Sequence, residues 1–184
     1  MHNNIAFINN RQGERIEVHE DIEKEFKEYF QETLKEQPGS REIAIRTITQ
    51  HIPKIITEDH NKKLLQPVSM QEVEDAMDEL KDGKASGPDG FTANFFHEFW
   101  ELINIEVWEL VEESRSMHWI LPYLNATFLA LVPKVDEPNT PDKYRPITLC
   151  NVIYKLISKV VSNRLKPLLP LLILPEQTVY VEGH

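Results

Sequence analysis

Lys134 and Arg145 flank a polar, proline-containing stretch between two short apolar runs, residues 126–132 and 144–149, which is the pattern of a β-hairpin. Such a hairpin sets the two cations on neighbouring positions at its mouth. There they repel each other unless an anion, a phosphate or a carboxylate, lies between them. Asp136, Glu137 and Asp142 in the same loop are equally able to neutralise them. A second candidate is the run Lys84-Ala85-Ser86-Gly87-Pro88-Asp89-Gly90, in which Gly87 and Gly90 allow close backbone approach and Asp89 is placed to cap a following helix. Turn chemistry alone accounts for it as a loop with a cap. The third candidate is a charge asymmetry. After Asp142, the cations Lys143, Arg145, Lys155, Lys159, Arg164 and Lys166 face only Glu176 and Glu182. Lys155, Lys159 and Lys166 recur at intervals of four and seven and share one helix face, which reads either as a solvated face or as a track for a phosphate backbone.

The rest of the composition narrows the chemistry. Twenty Lys+Arg against 30 Asp+Glu in 184 residues give a net charge of -10, so the chain is not a basic nucleic-acid coat and any such contact must come from a local face. The single Cys150 excludes an internal disulfide and a thiolate-only metal site, and after a strand it reads as packing. No Walker-type loop, G-x-S-x-G or H-E-x-x-H is present, and the 7 His are dispersed. Asp75 and Asp78 sit among Glu72, Glu74 and Glu79 as a solvated acidic face rather than a metal site. With no apolar run near 18 residues and no N-terminal apolar core, neither membrane spanning nor secretion is expected.

The elements that must carry these residues are mostly helical. Ile22, Phe26, Tyr29, Phe30 and Leu34 at spacings of three and four predict an amphipathic helix over 18–35, ended by Pro38-Gly39-Ser40. The Ile-rich stretch 41–63, broken by Pro53, reads as a connector, and Ile5 to Ile8 as a frayed end or short strand. Ser69 followed by Glu72 is a capping-box signature opening a helix with Val73, Ala76, Met77 and Leu80 on one face. Residues 91–118 predict further helix, with a break near Asn104 and a wide apolar surface that needs burial. The run 126–132 predicts a buried strand, and Pro146 puts its partner at an edge or bulge. Residues 151–169 predict a helix with Ile153, Leu156, Ile157, Val160, Val161 and Leu165 inward and Lys155, Lys159, Arg164 and Lys166 outward. The fold class expected is α+β, helix-dominated, with a small antiparallel hairpin or sheet.

Taken in order, several blocks resemble the reverse transcriptases of non-LTR (LINE-type) retrotransposons, particularly those of plant genomes. They are Lys84 to Phe91, then Phe95-Phe96 and Trp100, Leu131-Val132-Pro133-Lys134, and Tyr144-Arg145-Pro146-Ile147-Thr148-Leu149-Cys150-Asn151-Val152-Ile153-Tyr154-Lys155. The likeness runs on through Ser158-Lys159, Asn163 to Pro170, and Pro175-Glu176-Gln177-Thr178. It covers residues 61–184, and the helical stretch before it resembles the connector between endonuclease and polymerase. The implied division is a connector at 1–66 and, at 67–184, the fingers and start of the palm of a right-hand polymerase.

The resemblance implies that Lys134 and Arg145 lie near the incoming triphosphate or the template backbone, and that the Gly87 to Gly90 loop helps to hold template RNA. Lys84, Gly87, Asp89, Gly90, Lys155, Lys159 and Lys166 are then candidate nucleic-acid contacts, with RNA template and DNA primer as partners. The family's Mg²⁺ is held by palm aspartates in motifs beyond the last residue of this chain, and no Asp follows Asp142. No catalytic residue, metal ligand or cofactor is therefore expected within these 184 residues, and the polypeptide alone is expected to be inactive unless the missing palm and thumb come from elsewhere. Glu182-Gly183-His184 departs from the family's usual Pro-Gly-Arg and weakens contact there. Two alternatives stand beside this reading, a non-catalytic RNA-binding remnant and an inert pseudogene product with uncovered apolar surfaces. The family resemblance points to the nucleus or cytoplasm.

Overall fold

The computed structural model of the chain describes residues 5–35 and 41–173. Pro38 to Ser40, the block Pro175 to Thr178 and the closing Glu182-Gly183-His184 lie outside the described residues. The chain is helix-dominated α+β with two small antiparallel hairpins, as its patterning predicts. It divides into two compact units, Met1–Ile52 with Leu129–Ile147, and Pro53–Phe128 with Thr148–His184. The connector boundary after residue 66 follows the family resemblance, whereas these units follow packing.

In the first unit, strands β1 (Ile8–Asn9) and β2 (Arg15–Ile16) pair antiparallel, with Ile8 opposite Ile16. The turn between them is held by Asn10, whose Oδ1 accepts from the backbone N–H of Gln12 and Glu14. Helix α1 (His19–Leu34) buries Ile22, Phe26 and Phe30, three of the positions its periodicity selects. These close a small core with Ile8 and Tyr144, whose ring meets Phe26 edge-on at 5.1 Å. Tyr144 opens strand β4 (Tyr144–Cys150), the partner of β3 (Thr127–Pro133). Helix α2 (Arg41–Thr49) buries no residue, and Ile43, Ile45 and Ile48 are exposed.

The second unit is a helical cluster. Helix α3 (Glu58–Leu64) leads into α4 (Met70–Asp78), where the Ser69 hydroxyl accepts from the Glu72 N–H at 3.2 Å and the Glu72 carboxylate accepts from the Ser69 N–H at 2.9 Å. That is the predicted capping box. Helices α5 (Ala93–Glu98), α6 (Trp100–Ser116) and α7 (Val152–Leu165) complete the cluster, and the short α8 (Leu169–Leu172) follows. Val73, Ala76 and Met77 of α4, Val107 and Val111 of α6, and Leu156 and Val160 of α7 form the centre of the core. Leu156 is fully enclosed.

Several expectations are corrected. The break in 91–118 falls at Phe99 (φ -103°, ψ 12°), which ends α5 and starts α6, and not at Asn104. At this bend the Phe95 and Phe99 rings meet at 4.9 Å. Strand β3 is not buried: Thr127, Phe128 and Leu129 are exposed, because a two-stranded hairpin lacks the neighbouring strands and layers that cover an apolar run. The last long helix ends at Leu165 rather than 169, where Pro167 forces a 3-10 turn. On α7, Val161 and Leu165 are exposed, while Arg164, expected outward, has its guanidinium drawn in. The wide apolar surface of 91–118 is only partly covered, with Phe91, Phe95, Leu102 and Ile105 exposed.

Between α3 and α4 no regular structure satisfies the backbone, so side chains do it. Arg164 donates to the carbonyls of Leu64, Gln66 and Pro67 at 3.0, 2.7 and 3.0 Å, and to both oxygens of Glu72. Arg115 donates to the Leu65 carbonyl, Glu112 accepts from the Val68 N–H at 2.8 Å, and Trp108 Nε1 donates to the Val68 carbonyl at 2.7 Å. Residues of α6 and α7 thus clamp this segment by its main chain.

The clamp makes stability depend on pH. The Arg164 hydrogen bonds, supported by the Ser69 N–H, hold the Glu72 carboxyl at about 2 against its ordinary 4.5, and Arg115 does the same for Glu112, also to about 2. Carboxylates depressed in the folded state stabilise it above their unfolded values, and that stability is lost as pH falls from 4.5 towards 2. His97 acts in the opposite sense: its ring lies 3.0 Å from the Met77 carbonyl and 2.7 Å from Asp82, and these raise its pKa above 6.5. Its contribution is complete below 6.5 and is lost as pH rises through the raised folded value. Thermal unfolding followed by circular dichroism should therefore give its highest midpoint between these limits. Glu72→Gln should flatten the acid limb by about 1 kcal/mol once solvent screening is allowed for. An unchanged midpoint from about pH 3 to about pH 6 would contradict the clamp.

Candidate nucleic-acid interface

The sequence-selected residues fall in two places, one in each unit. In the first unit the hairpin loop is tied by its own main chain: the Lys134 N–H donates to the Lys143 carbonyl at 2.8 Å, and Pro141–Lys143 form a 3-10 turn. Lys143 is therefore the residue directly across from Lys134, and Arg145 lies two positions further along β4. Lys134 Nζ donates to the Asp142 main-chain carbonyl at 2.6 Å, and Lys143 Nζ to Asn139 Oδ1 at 2.7 Å. Both acceptors are neutral, so these bonds orient the ammonium groups without cancelling their charge. Among the described residues, Asp136, Glu137 and Asp142 make no ion pair with Lys134 or Arg145. The neutralisation open to the sequence is not made within the loop. Both cations are exposed.

In the second unit, the 84–90 loop is pinned at Gly87. A Cβ at this position would fall 2.5 Å from the Cys150 carbonyl carbon and closer still to the Asn151 N and Oδ1, so only glycine allows the approach. Asn151 is buried at the head of α7, where its side chain caps nothing and serves as a joint. Its Oδ1 accepts from the Asp89 N–H at 3.2 Å, and its Nδ2 donates to the Tyr123 carbonyl at 2.9 Å. Gly90, at φ 80°, closes the turn by donating to the Gly87 carbonyl. Asp89 does not cap the following helix as expected. Its Oδ1 accepts from the Phe91 N–H two residues on, a local Asx turn, and the helix starts after Thr92. Asn151 is a joint residue that its sequence position gives no reason to single out apart from the resemblance.

The cations of α7 have different fates. Lys155 Nζ donates to the Ala85 carbonyl at 3.3 Å, bridging to the loop. Lys159 Nζ lies 2.5 Å from Glu79, and Asn163 donates to the other oxygen of the same carboxylate. The Lys159 hydrogen bond, its charge and that of Lys166 lower the Glu79 pKa. Arg164 is engaged by Glu72 and the clamp. The acidic α4 face and the basic α7 face thus largely neutralise each other. Lys84 and Lys166 are exposed.

Among the described residues no three His, Cys, Asp or Glu gather as metal ligands, and no helix is long and apolar enough to cross a membrane. No protein-family model matches the sequence. The chain is similar to a transposon protein. Over 172 residues, 94% of its length, it is 26% identical to the Transposon TX1 uncharacterized 149 kDa protein of Xenopus laevis, and it spans only 13% of that protein.

Proposed function

We propose that this chain is the fingers and opening palm segment of the RNA-directed DNA polymerase of a LINE-type, plant-type retrotransposon, with the work of holding nucleic-acid phosphates. What supports the reading is similarity to a transposon protein along nearly the whole chain, together with the joint at Gly87. The joint carries it: the Lys84 to Gly90 block and the block around Asn151, 62 residues apart between Asp89 and Asn151, meet as a single built unit. Lys134 and Arg145, exposed and without carboxylate partners among the described residues, supply the cations that a template strand or triphosphate requires. Mg²⁺ is part of this proposal only for the complete enzyme, on the family resemblance.

The test is fluorescence anisotropy of a labelled single-stranded RNA titrated with the purified chain. The phosphate contacts of Lys134 and Arg145 alone contribute about -1.4 to the slope of log affinity against log salt, or about sevenfold weaker binding on a roughly fourfold rise in salt. Lys134→Ala combined with Arg145→Ala should remove most of that dependence. A folded chain that binds no RNA, or a double variant that binds as before, would overturn the reading.

A further inference from the structure

A half-open pocket of about 290 Å³ in the second unit lies between the end of α4, the 84–90 loop and the start of α7. Its apolar wall comes from Leu80, Leu149 and Val152. Its cations are Lys81, Lys84 and Lys155, and no carboxylate lines it. Lys155 reaches only the neutral Ala85 carbonyl, and among the described residues neither Lys81 nor Lys84 has an ion-pair partner. In a chain of net charge -10, three lysines and no carboxylate lining one concavity are a local reversal of sign. Two other cations of the same unit do find carboxylates, Lys159 with Glu79 and Arg164 with Glu72. An anion in the pocket would meet three cations with no carboxylate competing for them along the lining.

We propose that this pocket is a nucleotide-phosphate site, distinct from the Lys134 and Arg145 hairpin. The three ammonium groups hold the phosphate, and the apolar wall receives the flat face of the attached base. The volume is at the small end for ligand pockets, which suits one nucleotide and excludes a duplex. The joint at Gly87 and Asn151 fixes the loop that carries Lys84, so the pocket is pre-formed rather than gathered by the ligand. The proposal rests on the function given above for its ligand, either a nucleotide step within a strand or a free nucleotide.

The experiment is lysine footprinting of the full chain with an amine-reactive reagent, read by mass spectrometry, in the presence of a single-stranded RNA dodecamer or of uridine monophosphate. Protection of Lys81, Lys84 and Lys155 by at least about threefold relative to Lys54 and Lys62 is expected. Protection by the dodecamer alone identifies a strand, and protection by the mononucleotide as well identifies a free nucleotide. A variant with Lys81→Ala, Lys84→Ala and Lys155→Ala should lower the salt slope for RNA by about 0.7, the value for one single-strand phosphate. Circular dichroism confirms that the variant folds. No protection by either ligand, or an unchanged slope in the folded triple variant, overturns the pocket. If RNA binding is meanwhile lost on Lys134→Ala with Arg145→Ala, the pocket has failed while the broader function stands. Protection by the mononucleotide in a chain that ignores RNA would mean the reverse.

Discussion

Arg164→Ala is expected to lower the stability of the second unit by about 3 kcal/mol, a fall of about 6–12 °C in thermal midpoint for a chain of this size. The side chain is only 13% exposed and makes five hydrogen bonds, two to Glu72 and three to main-chain carbonyls. Removing it leaves a partly buried carboxylate without its counter-ion and three carbonyls without donors, and both losses are of the expensive kind. Arg164→Lys keeps the charge but cannot reproduce the planar fork, so it should recover less than half of the loss. Lys159→Ala serves as the comparison, since its pair with Glu79 is more exposed and should be worth under about 1 kcal/mol. Midpoints for the three variants that fell within about a degree of one another would refute the clamp.

Gly87→Ala should cost about 2–3 kcal/mol through overpacking, and its effect should be local. The backbone of Gly87 is not in the left-handed region, so conformational freedom is not the reason. The reason is the main chain at Cys150 and Asn151, which cannot move aside as a flexible side-chain tip would. The loop must lift from α7, breaking the bond from the Asp89 N–H to Asn151. Amide hydrogen exchange should accelerate at least about tenfold at Asp89 and Gly90, while the core amides of α4 around Val73 and Met77 change much less. Asn151→Ala should give the same exchange pattern without the steric clash. Unchanged exchange at Asp89 in both variants would show that the joint does not hold the loop.

The local features are legible in the sequence because they are written locally. Ser69 and Glu72 sit three apart and close their capping box, and the spacing of Ile22, Phe26 and Phe30 selects the buried face of α1. What the sequence hides is partnership. Helical spacing puts Arg164 beside Lys155 and Lys159 among the polar residues of α7, but Glu72 and the carbonyls it binds are 92 to 100 positions away. An apolar run such as 126–132 shows that burial would be favourable, and whether a covering layer exists is decided elsewhere in the chain. Asp89 illustrates a closer ambiguity: the same carboxylate can cap a helix or close a turn on Phe91, and a shift of register decides between them. For the candidate site, the cations at 134, 145, 84 and 155 are recognisable by type, whereas Lys81 and Asn151 emerge only when the loop and α7 are brought together.

The stretch between α3 and α4 carries one more consequence, for how the sequence can drift. Every peptide unit offers the same carbonyl, so positions 65–67, gripped through their main chain, need no particular letters to be held. The instructions for placing the main chain from Leu64 to Val68 are stored at Trp108, Glu112, Arg115 and Arg164, 40 to 100 positions downstream. A saturation scan would find positions 65 and 66 permissive and those four intolerant. Positions 65 and 66 are thus held from addresses remote from them, and their own letters are free to change, whereas Val68 fills the core and Ser69 caps α4.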